Sequence, residues 1–381
     1  GLVPNDGESW RRQHKLIMPG FHKMRVDAYA PTMAEYTRDM VAAWKDGEQR
    51  DFRKEMVELT LRVVAKTLFD TDLANDSETI HDAIQDISEA LIDHAQMPLP
   101  VPRWWPTERN KRTVRALDAM DDVIRRLVEA RRSEGEDRGD LMSQVVFAAD
   151  EQGHMSEKQM RDELMTLVFA GHETTAHTLT WAWYLLAKNR DKLAKAQREI
   201  DEKIGKRPIG VDDLKELPYL EMCLKESLRR LPAVWIFARE AQTDLRLGGH
   251  HFPKGAILAI SPLATGRNPK YFHNPDEYRP ERGTRDFERQ LPRGAYVPFA
   301  MGPRVCLGKQ FALMEMRIVL GTLIQNVDVN ILEGFEPDFL PELSLNPGAK
   351  GMQMRVRFRD GAPVRVGETP SERPTPGIHA A

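Results

Sequence analysis

From Ser156 onward, apolar or small residues recur at Met160, Leu164, Leu167, Val168, Gly171, Thr175, Thr178, Ala182 and Leu185. The spacing is close to 3.6 residues and predicts one long helix. Ser156 and Gln159 form a Ser-x-x-Gln capping box at its start, and Asn189 and Asp191 mark its end. About 32 residues at a rise of about 1.5 Å make a rod of roughly 48 Å. Such a rod crosses a whole domain, so it is expected to be central and largely buried.

Shorter helical patterns precede it over residues 8–18, 31–44, 52–69, 76–94, 107–135 and 141–149. Pro19-Gly20, Asp46-Gly47, the prolines at 98, 100, 102 and 106, and Arg138-Gly139-Asp140 punctuate them. After Leu231 prolines and glycines become frequent, and strand-like runs appear over residues 245–247, 257–260 and 353–358. A further helix is predicted over residues 307–325. The expectation is a mainly α fold with a minor β-sheet, in one domain over residues 1–359. Residues 360–381, polar and rich in Pro, Gly and Arg, are expected to form a loosely ordered tail.

Composition narrows the class. Of 381 residues, 41% are hydrophobic and 30% charged, which excludes a disordered chain or a fibrous repeat. Lys+Arg number 55 and Asp+Glu 58, a net charge of -3, so no global basic signal for nucleic acid exists. The only cysteines, Cys223 and Cys306, are too few for a secreted disulfide framework and fit a reducing compartment. The most apolar stretches, residues 164–171 and 181–187, fall well short of a membrane span. No signal peptide is visible. The expectation is a soluble cytoplasmic enzyme of bacterial type, with an anchor upstream of Gly1 left open.

Cys306 carries the clearest chemistry. An isolated cysteine is more often a buried structural residue, but the run from Phe299 to Gly308 (Phe-Ala-Met-Gly-Pro-Arg-Val-Cys-Leu-Gly) argues otherwise. Gly302 and Gly308 permit tight turns and close backbone approach to a flat ligand. Arg304 supplies a cation for a carboxylate, and Phe299 an aromatic face. The helix predicted just after Cys306 puts free N–H groups and a positive dipole end near a thiolate. A single sulfur ligand suits an axial bond to haem iron, whereas zinc needs about four protein ligands in a closed site.

The run resembles the signature of the cytochrome P-450 family, Phe-x-x-Gly-x-Arg-x-Cys-x-Gly, at all five fixed positions. Other segments add to the resemblance. Glu226-Ser227-Leu228-Arg229 is similar to the family's Glu-x-x-Arg motif, a spacing that pairs both side chains on one helix face. The resemblance implies that Arg282 joins them in a structural network. Gly283 follows it where the family usually has Phe, and Gly266-Arg267 stands where His-Arg is common. Ala170-Gly171-His172-Glu173-Thr174-Thr175 resembles the family's oxygen-activation segment on the long helix. Gly171 there reads either as close helix packing or as part of a groove over haem. By resemblance, Ala170 and Gly171 border the haem, Thr174 hydrogen-bonds the bound oxygen, and Glu173 relays protons through water.

His172-Glu173 followed by His177 is similar to a zinc-protease motif, but the second histidine stands five residues on. That is roughly 140° around the helix, against roughly 40° for a spacing of four, so the two do not share one metal. Trp10 and His14, four apart on the first helix, and Arg239 occupy positions that contact haem propionates in the family. With Arg304 they balance two propionates. Phe299 and Gly308 belong to the same implied haem site.

The resemblance covers residues 10 to about 358. It implies haem b held through an axial Cys306 thiolate, and a monooxygenase placing one oxygen atom from O2 into a lipophilic substrate. Family members carry a further N-terminal segment, so residues 1–359 are expected to be an N-terminally incomplete haem-thiolate domain. No flavin, nicotinamide or iron–sulfur fingerprint is seen, so electrons are expected from a separate ferredoxin, flavodoxin or reductase. Arg289, Arg293 and Lys309 read either as its docking patch or as an ordinary solvated surface. Val234–Phe237, Phe339 and Leu340 are expected pocket walls. Two alternatives stay open, a peroxide-driven peroxygenase of the same fold and a non-catalytic haem-binding sensor.

Overall fold

The computed structural model describes residues 1–71, 77–96, 102, 104–150 and 153–359. The expected tail over 360–381 and the breaker prolines Pro98 and Pro100 lie outside the described residues. The helices are α1 (Gly7–Ile17), α2 (Lys23–Ala28), α3 (Ala30–Ala42), α4 (Phe52–Phe69), α5 (Ser77–Gln96), α6 (Glu108–Glu134), α7 (Leu141–Phe147), α8 (Glu157–Lys188), α9 (Arg190–Lys203), α10 (Pro218–Arg230), α11 (Pro262–Gly266), α12 (Arg285–Gln290) and α13 (Lys309–Asn326). The strands are β1 (Gln49–Asp51), β2 (Ala149–Asp150), β3 (Gly153–His154), β4 (Phe237–Glu240), β5 (Leu245–Leu247), β6 (His250–Phe252), β7 (Ile257–Ile260), β8 (Val327–Ile331), β9 (Leu340–Pro341), β10 (Leu345–Asn346) and β11 (Gln353–Phe358).

Helix α8 is the axis of the molecule. Ser156 Oγ accepts from Gln159 N–H, and the Gln159 side chain accepts from Ser156 N–H, so the capping box forms as the sequence predicts. The helix runs 32 residues and is wholly buried from Thr175 to Ala187. It packs against α4, α6, α7, α9, α10 and α13. Helix α4, its most extensive neighbour, is bounded by local chemistry. Asp51 caps Arg53 N–H, and Asp70 takes a left-handed conformation at the other end.

The sheets are small and antiparallel. β11 pairs with β1 through Arg50↔Met354 and with β8 through Val356↔Val329. β4 pairs with β7, and β9 with β10. Trp181 Nε1 donates to the Leu345 carbonyl at 2.8 Å, and its ring stacks on Phe339 at 5.0 Å. These two contacts fix the β9–β10 hairpin along α8. Among the described residues, no helix is long and apolar enough to cross a membrane.

The Glu226 network forms as expected. Glu226 Oε2 accepts from Arg229 Nε at 2.7 Å, and Oε1 accepts from Arg282 Nη1 at 2.7 Å, with all three residues buried. The arginines also donate to carbonyls, including those of Pro275, Glu277 and Asn274, so the charges are hydrogen-bonded as well as paired. The structure explains both glycine departures. A Cβ on Gly283 would stand 2.9 Å from Met222 Cα, and one on Gly266 would stand 2.5 Å from the Arg229 carbonyl oxygen. Backbone approaches α10 at both places, which leaves no room for a side chain.

Candidate active site

The cysteine loop is closed by its own backbone. Cys306 N–H donates to the Phe299 carbonyl at 3.0 Å, and Val305 N–H to Gly302 at 3.1 Å. Ala300 (φ 56°) and Gly302 (φ 75°) supply the left-handed residues that make this turn possible. Gly308 does not, having φ -80° as the cap of α13, so its expected role as a tight-turn residue is corrected. Cys306 is exposed at the tip of this loop. Burial by the nearby walls pushes its thiol pKa up, while Gly308 N–H and Lys309 pull it down.

Arg304, two residues before Cys306, reaches α1. Its guanidinium lies 4.1 Å over the Trp10 ring, whose centroid is 4.9 Å from that of His14. It donates to the Asn5 carbonyl at 2.8 Å and pairs with Asp6 at 3.1 Å. Three of the expected propionate contacts therefore stand together, with Trp10 and His14 half-buried. Arg239 is placed apart. It is exposed on β4, donates to Ala238 at 2.8 Å and lies 5.0 Å over Phe237.

On α8, Ala170 is exposed while the following turns are buried. Thr174 shares its face and donates its hydroxyl to the Ala170 carbonyl at 2.9 Å. A Cβ on Gly171 would stand 3.3 Å from Val64 Cγ2, so the glycine serves the packing of α8 on α4. Glu173 is nearly buried, and its Oε1 accepts from Ser344 Oγ at 2.9 Å. Burial, then Glu342, pushes its carboxyl pKa up, while the Ser344 bond and Arg53 hold it down.

His172 Nδ1 lies 3.2 Å from the Val168 carbonyl, and His177 Nδ1 lies 2.7 Å from Ser344 Oγ. The two face different partners, as their spacing predicts. Among the described residues, no group of three or more His, Cys, Asp or Glu is placed to hold a metal. Sequence reading missed Ser344, which is 171 residues from Glu173. It also weighed His177 only against His172, and rejected that pair, although the spacing of four from Glu173 to His177 was the informative one.

The segment holding Val234–Phe237 meets the hairpin that follows Phe339. Trp235 Nε1 donates to the Glu342 carbonyl at 2.7 Å, and Leu345 N–H to Ala233 at 2.8 Å, joining residues 233–237 to the β9–β10 hairpin. Phe339 itself packs on Trp181. Of the basic residues near the loop, Arg289 and Arg293 are exposed, whereas Lys309 Nζ sits 5.9 Å over Phe299.

These residues fit a flat, apolar group with anionic arms. Cys306 offers one soft ligand, exposed Met301, Val305 and Ile236 offer apolar side chains, Arg304 offers a cationic donor and His14 a ring N–H. The sequence model of the cytochrome P-450 family matches residues 1–353. Cyclooctatin synthase of Streptomyces melanosporofaciens is 33% identical over 352 residues, covering 91% of this chain and 77% of that protein. Cyclooctat-9-en-7-ol 5-monooxygenase of the same organism is 32% identical, over 84% of this chain and 71% of that protein. Cytochrome P-450 4V2 of Mus musculus is 31% identical, over 85% and 67% respectively.

Proposed function

The chain belongs to the cytochrome P-450 family of haem monooxygenases, and from that premise we propose that it places one oxygen atom from O2 into a lipophilic substrate, with electrons from a separate ferredoxin, flavodoxin or reductase. The observation that carries this reading is the cysteine loop. It exposes Cys306 while its neighbour Arg304 closes on Trp10 of α1. One strand of chain thus presents a thiolate ligand beside a cationic, aromatic wall.

When bound, haem b supplies one-electron chemistry and dioxygen activation that no side chain offers. Cys306 would hold it through its sulfur. Trp10, His14 and Arg304 would hold its propionates by hydrogen bonds and charge, and Arg239, apart from them on β4, would add a further cation. Ala170, Gly171, Phe299 and Gly308 would form its immediate surroundings. Thr174 presents a hydroxyl oxygen on the exposed face of α8. Glu173 carries the proton supply, and the upward push on its pKa suits a carboxyl that must donate near neutral pH.

One relative is named for acting on an unsaturated alcohol, which supports a lipophilic substrate here. Arg289 and Arg293, exposed near the cysteine loop, support docking of an acidic electron donor. The test is turnover with NADPH and a surrogate redox system, set against turnover with peroxide alone. Product is expected only with reductant, and Thr174→Ala is expected to lower product per NADPH consumed. Equal turnover on peroxide with no effect of Thr174→Ala would support the peroxygenase alternative instead. Haem binding without turnover in either arm would support the sensor.

A further inference from the structure

A cavity of about 180 Å³ with a mixed polar and apolar lining lies against α8, with Arg53, Glu89, His172, Glu173, His177 and Glu342 among the residues around it. Its volume and these polar groups suffice for several waters. Glu173 and Thr174 are neighbours in sequence, roughly 100° apart around the helix. Thr174 shares the exposed face of Ala170, while Glu173 and His177 share the face turned to the cavity. Glu173 therefore stands on the cavity face, one residue before the Thr174 hydroxyl on the other.

Its carboxyl is held there by a short chain of hydrogen bonds. Ser344 has one hydroxyl proton, which it donates to Glu173 Oε1 at 2.9 Å. His177 Nδ1, 2.7 Å from Ser344 Oγ, must then carry a proton and donate to that hydroxyl oxygen. When Glu173 is protonated, the same two bonds can reverse. With the single proton of a neutral His177 on Nε2, the carboxyl then donates to Ser344, and Ser344 donates to His177 Nδ1. The direct separation of His177 Nδ1 from Glu173 Oε1 is 3.9 Å, so Ser344 is the link.

We propose that Ser344 and His177 are positioning residues for Glu173, and that the cavity is the water store from which Glu173 regains its proton. The proposal rests on the reading of Glu173 as the proton supplier. The charged and titratable groups facing Glu173 are Arg53 from α4, Glu89 from α5, His172 and His177 from α8, and Glu342 from the β9–β10 turn. Arg53 favours the carboxylate and Glu342 opposes it. The Ser344 hydroxyl adds a donor that favours the ionised form.

The test follows the Glu173 carboxyl by infrared difference spectroscopy across pH in the holoenzyme, with Glu173→Gln used to identify its band. Loss of a hydrogen bond to a charged group is expected to raise the titration midpoint of Ser344→Ala by about one pH unit, roughly tenfold in proton affinity. His177→Phe is expected to move it the same way by less, and Ser344→Thr to restore it. The pH profile of product formed per electron should move in parallel. An unshifted midpoint in both Ser344→Ala and His177→Phe, with native near-ultraviolet circular dichroism, overturns the positioning pair even if Glu173→Gln is impaired. Unchanged product yield in Glu173→Gln overturns proton supply by Glu173, and the cavity's role with it, whatever the titration shows.

Discussion

The guanidinium of Arg304 lies 4.1 Å over the ring of Trp10 and so ties the cysteine loop to the first helix. A cation over an indole is worth about 0.5–2 kcal/mol according to its exposure, and hydrogen bonds to a charged group about 1.5–3 kcal/mol. Arg304→Leu removes both, along with a propionate partner. It is expected to speed haem loss to an acceptor globin about tenfold or more, with Trp10→Phe intermediate. Wild-type rates in both variants would remove the cluster from the haem site.

Glu226 joins Arg229 and Arg282 in a buried network. Glu226→Ala leaves Arg229 and Arg282 buried without their carboxylate. Breaking a buried pair in this way costs about 3–5 kcal/mol. The expected result is a large drop in the denaturant midpoint, or failure to accumulate folded protein. A loss under about 1 kcal/mol would mean that the carbonyl partners suffice.

Gly283 faces Met222 too closely for any side chain. Restoring the phenylalanine usual in the family at this position is therefore expected to harm the protein. Gly283→Ala should cost about 1–3 kcal/mol through overpacking, and Gly283→Phe more. Unfolding curves measure both. A more stable Gly283→Phe would show that α10 yields readily.

Glu315 is fully buried on α13, and neither carboxyl oxygen has a hydrogen-bond partner among the described residues. Burial pushes its pKa well above the ordinary value. An unfolded Glu ionises near pH 4.3, roughly. Above that pH the folded chain keeps a proton that the unfolded chain releases, so stability falls as pH rises. The slope reaches about 1.4 kcal/mol per pH unit and ends where the folded group ionises. Glu315→Gln is expected to remove this slope, so its advantage over wild type grows from about pH 5 upward. Urea midpoints across pH check this, and a constant difference between the two proteins would contradict it.

The long elements were legible because their signals are local. Periodicity and a capping box placed α8, and apolar spacing placed α4 at residues 52–69. The short strands were less so. β4 and β8 are defined by partners further along the chain, such as Val329 opposite Val356, and the two-residue strands β9 and β10 are too short to show a period. Motif spacing picked out Arg304, Trp10 and His14, which stand together, and also the Glu226 network. It said nothing of Ser344, because a serine in a loop carries no periodic signal and meets Glu173 only through the packing of the hairpin on α8. Glu315 escaped for a related reason. A glutamate on a helix reads as solvated until the packing around α13 is known.

The central claim is that Cys306 is the axial ligand of a haem. The most direct measurement is the carbon monoxide difference spectrum of the dithionite-reduced holoprotein, alongside Cys306→Ser. The account predicts a strongly red-shifted Soret band in the wild-type protein that is lost in the variant. Haem uptake by the wild-type protein without that band, or with a band that survives Cys306→Ser, would contradict it.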